Sequence, residues 1–417
     1  MTKGDRPFME LASQSGTAGL ADLRLGGEQA RWVVLVRFGE VALKKGHLRM
    51  FMGALRRNIE RALRGLPVSR VAIRPNRCFV WLEEASAWPE VRERLGHVFG
   101  VVGFFLCLRV PPTLEAIEEA SRLLVPGPPP SFAVRAHRGD KSFPLTSQEI
   151  EREIGARIKE RTGARVDLTS PALTFYVEVQ PEGAFCATEQ VAGPGGLPVG
   201  TGGRVVSLLS GGIDSPVASY RMLKRGCQVV FVHFTSYPFT DTSSWDKCRV
   251  LVRLLTRYQQ ESRFYVVPLG EVQQRIVVAV PPRYRILMYR RMMVRIAGAI
   301  AQREGCKALV TGESLGQVGS QTLDNLVAID QAAGLPVLRP LIGFDKQEII
   351  AEARRIGTYE TSIEPDMDCC QFLVPPRVAT SSTPEQLERL EAGLDIGELL
   401  EMALAGVQVE EFRWPEV

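Results

Sequence analysis

Long apolar runs are missing from this sequence. No stretch of 18 uninterrupted apolar residues occurs, which argues against a membrane-spanning helix. The N-terminus has no apolar signal-peptide core, and residues 1–30 are expected to form a loose polar leader. Cysteine is scarce, with 8 in 417 residues. That is too few for a secreted disulfide framework and leaves room for a functional thiol in a reducing compartment. The expected localisation is therefore cytoplasmic, with no membrane partner. Histidine is scarcer still, at 4. The histidines show no zinc spacing and no C-x-x-C occurs, so no protein-bound metal is expected. Acidic residues are nearly absent from residues 31–80, where twelve Lys or Arg face only Glu40 and Glu60. Residues 381–417 reverse the balance, with nine acids against Arg389 and Arg413. This asymmetry, inside a net charge of only +4, points to a polyanionic partner for the N-terminal part. The plain alternative is a solvated arginine-rich face.

The remaining composition is ordinary for a globular chain, with 45% hydrophobic and 24% charged residues. Its length suffices for two or three domains. Arg31–Arg37, Val68–Ile73 and Arg77–Leu82 read as strands around an amphipathic helix over Met50–Arg64, in which Phe51, Leu55, Ile59 and Leu63 recur every four residues. A small α+β domain is expected over 31–87. A second α/β domain, 88–192, contains the apolar run Val98–Val110, helices over Thr113–Leu124 and Ser147–Arg161, and strands over Ser131–Arg138 and Leu173–Val179. Glycine and proline dominate the linker 193–203 (GPGGLPVGTGG).

After the linker, strands alternate with helices. Strands are expected at Arg204–Leu209, Gln228–Phe234, Phe264–Leu269 and Lys307–Thr311, and helices at Ser215–Arg225, Asp246–Tyr258 and Tyr284–Glu304. Valine-rich strands in such alternation predict a doubly wound parallel sheet over 204–380. A further helix, Lys346–Ile356, carries an Asp345/Glu348 capping box. Residues 381–417 are expected to be an acidic helical tail.

The most informative stretch is "RVVSLLSGGIDSPVASY", residues 204–220. A strand, a glycine turn and a helix are the parts of a phosphate cradle, yet the Walker lysine is missing after the glycines. Gly211 and Gly212 let backbone N–H groups approach an anion, and the Ser210 and Ser215 hydroxyls can add donors. The helix that follows turns its positive end to the phosphates. Asp214 needs a cation beside phosphates; it coordinates Mg²⁺ or positions the pyrophosphate end. Such a cradle suits attack at the α-phosphorus with pyrophosphate leaving, which gives an adenylate and requires no γ-phosphate lysine. The turn resembles that of the PP-loop ATP pyrophosphatases. A second donor-rich loop, "TGESLGQVGSQTLDNL" at 311–326, follows a predicted strand at the same sheet edge.

From about residue 31 to 380 the chain resembles bacterial tRNA 4-thiouridine synthetases. The carrying segments are "VRFGEVALKKGHLRMF" (36–51), "FAVRAHRGDKSFPLTSQEIEREIGARI" (132–158), "SLLSGGIDSPVASY" (207–220), "MVRIAGAIAQREGCKALVTGESLGQVGSQTLDNL" (293–326), "RPLIGFDKQEII" (339–350) and "DCCQF" (368–372). The resemblance implies a ferredoxin-like domain, a THUMP RNA-binding domain and a PP-loop domain, in that order. It implies ATP and Mg²⁺ as cofactors and tRNA as partner. The uridine, expected at position 8, would be adenylated on O4 and receive sulfur from a cysteine persulfide at C4. It also implies adenylate contacts at Leu208, Leu209, His233, Phe234, Arg290, Gly312 and Gln321.

Cys78, Cys107, Cys186, Cys227 and Cys306 lie in or beside apolar segments and Cys248 on a helix, so these six read as structural. Cys369-Cys370 differs, because it follows Glu364, Asp366 and Asp368 in a Pro-flanked loop. By resemblance one of this pair handles sulfur, although the acids disfavour a strongly activated thiolate. Some relatives carry a C-terminal rhodanese domain. Here Val417 ends a short tail without cysteine, so sulfur is expected from a cysteine desulfurase or other persulfide donor. A homodimer is compatible with the sequence. Three other readings are a PP-loop ligase adding nitrogen to an adenylated acid, a sulfur relay for thiamine thiazole synthesis, and a non-catalytic tRNA-binding protein. The basic segment opposes the first, the missing rhodanese domain weakens the second, and the intact cradle opposes the third.

Overall fold

The computed structural model describes residues 31–44, 46–75, 77–366 and 378–415, together with a small antiparallel pair, Arg24–Leu25 with Glu28–Gln29. The leader expected over residues 1–30 otherwise lies outside the described residues. The chain divides into two units, Met1–Gly196 and Leu197–Val417.

In the first unit the order is β1 (Arg31–Phe38), α1 (Leu48–Ala62), β2 (Val68–Arg74), β3 (Arg77–Leu82), α2 (Trp88–Leu95) and β4 (Val101–Val110). Then come α3 (Leu114–Leu124), β5 (Ser131–Arg138), α4 (Ser147–Thr162), β6 (Arg165–Val166), β7 (Leu173–Gln180), β8 (Gly183–Ala187) and β9 (Val191–Ala192). One sheet runs β2-β3-β1-β4-β8-β7-β5-β6, with β9 also on β4. Strand β4 pairs with β1 on one side and β8 on the other, so the N-terminal and middle stretches share one sheet. On one face, Phe79 and Phe185 stack at 5.0 Å within a small core with Leu35 and Phe105. Beside it the buried Glu178 accepts from Arg37 and Arg77 at 3.1 Å each and lies 2.8 Å from His137 Nδ1. A buried carboxylate persists only when so satisfied.

The second unit follows the alternating pattern. Its elements are β10 (Arg204–Leu208), α5 (Asp214–Lys224), β11 (Gln228–Thr235), α6 (Ser243–Gln259), β12 (Glu261–Pro268), α7 (Gly270–Ala279) and α8 (Arg285–Arg303). These are followed by β13 (Leu309–Val310), α9 (Leu323–Asp330), β14 (Val337–Leu338), α10 (Lys346–Arg355), α11 (Tyr359–Ser362), α12 (Pro384–Glu391), α13 (Ile396–Ala405) and β15 (Gln408–Arg413). The sheet order is β14-β13-β10-β11-β12-β15. The first five strands are parallel and β15 is antiparallel to β12. The valines are buried on both faces because helices cover both. Val206, Val230, Val232 and Val267 face the core built with α7, α8, α9, α12 and α13.

Several elements differ from the sequence reading. Helix α1 starts two residues early, at Leu48. The strand expected at Lys307–Thr311 contracts to Leu309–Val310. The tail is helical only to Ala405 and then adds β15 to the sheet. Its alternation, Gln408-Val409-Glu410-Glu411-Phe412-Arg413, is masked by acids, which suit an edge strand. Helix α4 starts at Ser147 as expected, behind a capping box of Thr146 and Glu149.

Candidate active site

The residues expected at the site converge on the carboxyl edge of the second sheet, where parallel α/β sheets bind ligands. Leu208, Leu209, Ser210, Asp214, Ser215, His233, Phe234, Arg290, Gly312 and Gln321 line one cavity of about 260 Å³. Gly211 and Gly212 belong to the turn that rims it. Cys369 and Cys370 lie outside the described residues.

The turn is held from within. Ser215 Oγ accepts from the Ser210 N–H at 2.9 Å and donates to the Ser210 carbonyl at 3.1 Å. The N-cap residue of α5, Ile213, makes no side-chain capping hydrogen bond, which leaves the helical dipole directed at an incoming anion. Glycine is required at 312 for a steric reason. A Cβ there would stand 2.7 Å from the Ser215 nitrogen and 2.8 Å from its Cα. The loop after β13 therefore lies directly on the first turn of α5.

The cation that the turn lacks comes from far along the chain. Lys346 Nζ donates to Asp214 Oδ1 at 2.6 Å, and Gln317 Nε2 donates to Asp214 Oδ2 at 2.9 Å. Lys346 is the first residue of α10, where the helix dipole disfavours a cation. The Asp345 and Glu348 capping carboxylates and Asp214 offset that cost. In the sequence the capping box marks the helix, and a lysine at a helix start is the one local signal of this contact.

His233 is buried, with Nδ1 3.0 Å from the Leu209 carbonyl and Nε2 3.2 Å from Ser244 Oγ. A carbonyl can only accept, so Nδ1 carries the proton and Nε2 accepts from the hydroxyl. Both nitrogens are engaged by protein, and the ring fixes the end of β10. Arg290 Nη1 donates to Glu313 Oε1 at 2.6 Å, and Arg339 Nε donates to Glu313 Oε2 at 2.6 Å. Burial pushes the Glu313 carboxyl up, but the two guanidinium groups hold it below the usual carboxylate range. Glu313 and Arg339 also line the cavity. Both stand within segments that carried the family resemblance, but a single sequence gives no sign that they meet. Gln321 is buried against the cavity, and its Oε1 has no hydrogen-bond partner among the described residues. Such an amide can meet the polar edge of a ligand.

All six described cysteines are buried. Burial pushes Cys78 up to about 12 and Cys306 up to about 11 and raises Cys227, which makes them poor nucleophiles at neutral pH. In the first unit, a groove of about 520 Å³ is lined by Arg56, Arg64, Arg70 and Arg74, with Glu60 among them. No helix among the described residues is long and apolar enough to cross a membrane.

The family profile described as "Thiamine biosynthesis protein (ThiI)" matches residues 200–396. The ThiI ferredoxin-like domain matches 33–104 and the THUMP domain 114–188. A probable tRNA sulfurtransferase of Thermus thermophilus is 48% identical over 379 residues, spanning 91% of this chain and 93% of the relative. The chain belongs to the ThiI family. A probable tRNA sulfurtransferase of Nocardia farcinica is 46% identical over 385 residues, covering 90% of this chain and 93% of the relative. A 4-thiouridine synthetase solved in complex with RNA and with bound ATP superposes with a TM-score of 0.84 at 39% identity, covering 92% of this chain and all of that one. The ferredoxin-like, THUMP and PP-loop order expected for this ThiI-family chain is thus present.

Proposed function

We propose that this chain is an ATP-dependent tRNA sulfurtransferase that adenylates O4 of a tRNA uridine, at position 8, and replaces that oxygen with sulfur. One observation carries the reading. The glycine turn, the start of α5, Asp214 with its partner Lys346, and a Gln321 Oε1 unpartnered among the described residues meet at one cavity, in a chain 39% identical to a 4-thiouridine synthetase solved with RNA and bound ATP. The turn and helix α5 bind the phosphates. Gln321, Leu208, Leu209, Phe234 and Gly312 bind the adenosine part, and His233 and Glu313 hold Leu209 and Arg290 in place. Of the two roles open to Asp214, its bonds to Lys346 and Gln317 favour positioning, with the lysine drawn to the phosphate end. Mg²⁺ would come in with ATP, mostly on phosphate oxygens and with Asp214 as the nearby carboxylate; it would offset phosphate charge.

The uridine oxygen attacks the α-phosphorus and pyrophosphate leaves. A persulfide on Cys369 or Cys370 then bonds its outer sulfur to C4 as AMP departs. A further thiol breaks the S–S bond and is oxidised to a disulfide, leaving sulfur on the base. An external thiol reductant then reduces that disulfide by two electrons, and a cysteine desulfurase or other persulfide donor places a new outer sulfur on the freed cysteine, in the cytoplasm. The arginine-rich surface of residues 31–87 and the THUMP domain, 88–192, hold the tRNA, and 204–380 carries the chemistry; a homodimer is compatible with this division. Incubating unmodified tRNA with the protein, ATP, Mg²⁺ and sulfide should yield 4-thiouridine on nucleoside analysis. No thionucleoside in the presence of pyrophosphate release would refute the sulfur half of the proposal. The family description also names thiamine biosynthesis, and restored growth of a thiazole auxotroph would support that second role.

A further inference from the structure

Lys247 does not line the cavity, yet it is buried, with 6% of its surface exposed, which is rare for a lysine unless it is paired. It stands on α6. Its ammonium donates to the Glu364 carbonyl at 2.5 Å and lies 3.3 Å from Asp366 Oδ2. Its stem passes under the glycine turn. A Cβ on Gly211 would stand 3.0 Å from Lys247 Cδ and would run into the Asp366 carboxylate. One buried cation thus joins a helix, the phosphate turn and the 364–366 segment. Burying an ammonium costs enough that its partners are held firmly. Both of its polar contacts go to the 364–366 segment.

We propose that Lys247 is a positioning residue for sulfur transfer: it fastens Asp366 and Glu364 to the phosphate turn and so fixes where the Cys369-Cys370 segment starts. This rests on the sulfurtransferase reading above. Chain order gives it force: Asp366 stands three residues before Cys369 in the sequence and is fastened beside Gly211, in the turn where the adenylate forms.

The test uses the full chain, unmodified tRNA, ATP and Mg²⁺, with sulfur from either a cysteine desulfurase acting on cysteine or sodium sulfide. Lys247→Met should release pyrophosphate within a few-fold of wild type. Its desulfurase-fed thiolation should fall about tenfold or more, since a displacement of an ångström or so in a reacting group can cost that much. Sulfide-fed thiolation should stay near wild type, because free sulfide needs no cysteine loop. Lys247→Arg should restore desulfurase-fed thiolation, as a guanidinium can reach both the carbonyl and the carboxylate. Asp366→Asn removes the ionic contact with little change of shape; it should show the same split, and it carries the test if Lys247→Met does not fold. A parallel fall of pyrophosphate release and thiolation in these variants would overturn the proposal, as would unchanged desulfurase-fed thiolation in both. If wild type itself releases no pyrophosphate with tRNA, the sulfurtransferase reading fails and takes the tether with it. A normal wild type without the split removes the tether alone.

Discussion

At the scale of single residues, the carboxylate of Asp214 carries the most weight. It stands at the start of α5 and ties Lys346 and Gln317 across the turn. Asp214→Ala should lower tRNA-dependent pyrophosphate release by roughly 10²–10³, the usual effect of losing one preorganised electrostatic contact. Lys346→Met should do much the same. If the lysine acts through the carboxylate, the double variant should be little worse than Asp214→Ala alone. Near-normal turnover in either single variant would remove the pair from the mechanism. The thiols make a separate prediction. Serine at both 369 and 370 should leave pyrophosphate release intact and abolish desulfurase-fed thiolation, with sulfide as a bypass. Normal desulfurase-fed thiolation in that variant would turn attention to Cys248, whose Sγ lies 3.4 Å from His233 Nδ1 at the cavity floor.

Among elements, helix α12 is stapled to α8, the helix that presents Arg290. Glu391 accepts from Arg291 at 2.8 Å and from Arg295 at 2.6 Å, and Arg291 is almost wholly buried. Burial pushes the Glu391 carboxyl up, yet the two guanidinium groups bring it down to about 2. A carboxyl depressed on folding stabilises above its ordinary range near 4.5 and loses that contribution as pH falls towards 2. The shift corresponds to roughly 3 kcal/mol. Glu391→Gln should therefore lower stability by about 3–5 kcal/mol at pH 7 and flatten the acid limb of a urea-unfolding series between about pH 4.5 and 2.5. An unchanged midpoint at pH 7 would show that the arginines find other partners. The elements that sequence exposed best were those with strong periodicity or punctuation: β10 with its glycine turn, the capped α10 and the valine strands. Strand β8, Gly-Ala-Phe-Cys-Ala, escaped because small residues carry little strand preference even where all five are buried. Helix α7 escaped because it begins on Gly270 and runs into Val277-Val278, which resembles a strand. Most of the cavity lining was legible from ordered motifs. The Lys346–Asp214, Glu313–Arg339 and Lys247–Asp366 contacts were not. Each joins residues more than 20 positions apart, and only the folded chain brings them together.

For the molecule as a whole, the proposed function divides between the two units of the chain. The first unit carries the arginine-lined groove and the second the cavity proposed to take ATP. tRNA affinity should fall linearly with salt on a log–log plot, with a slope of roughly 0.7–0.9 per phosphate contacted. Arg64→Ala combined with Arg70→Ala should shallow that slope by about 1–2 while pyrophosphate release at saturating tRNA is kept. An affinity indifferent to salt would mean that the arginines only solvate the surface. The closing strand of the second unit has a consequence for synthesis. β15, residues Gln408–Arg413, lies antiparallel along β12, and Trp245 and Arg249 of α6 hold its Glu410. A ribosome delivers the chain from the N-terminus, so every other strand of that sheet emerges before β15 does. Until residue 413 has left the exit tunnel, the backbone of β12 is an open edge able to pair with a neighbouring nascent chain. β15 thus replaces the open edge of β12 with an acidic one, and a pause in translation shortly before it leaves that apolar edge exposed to aggregation.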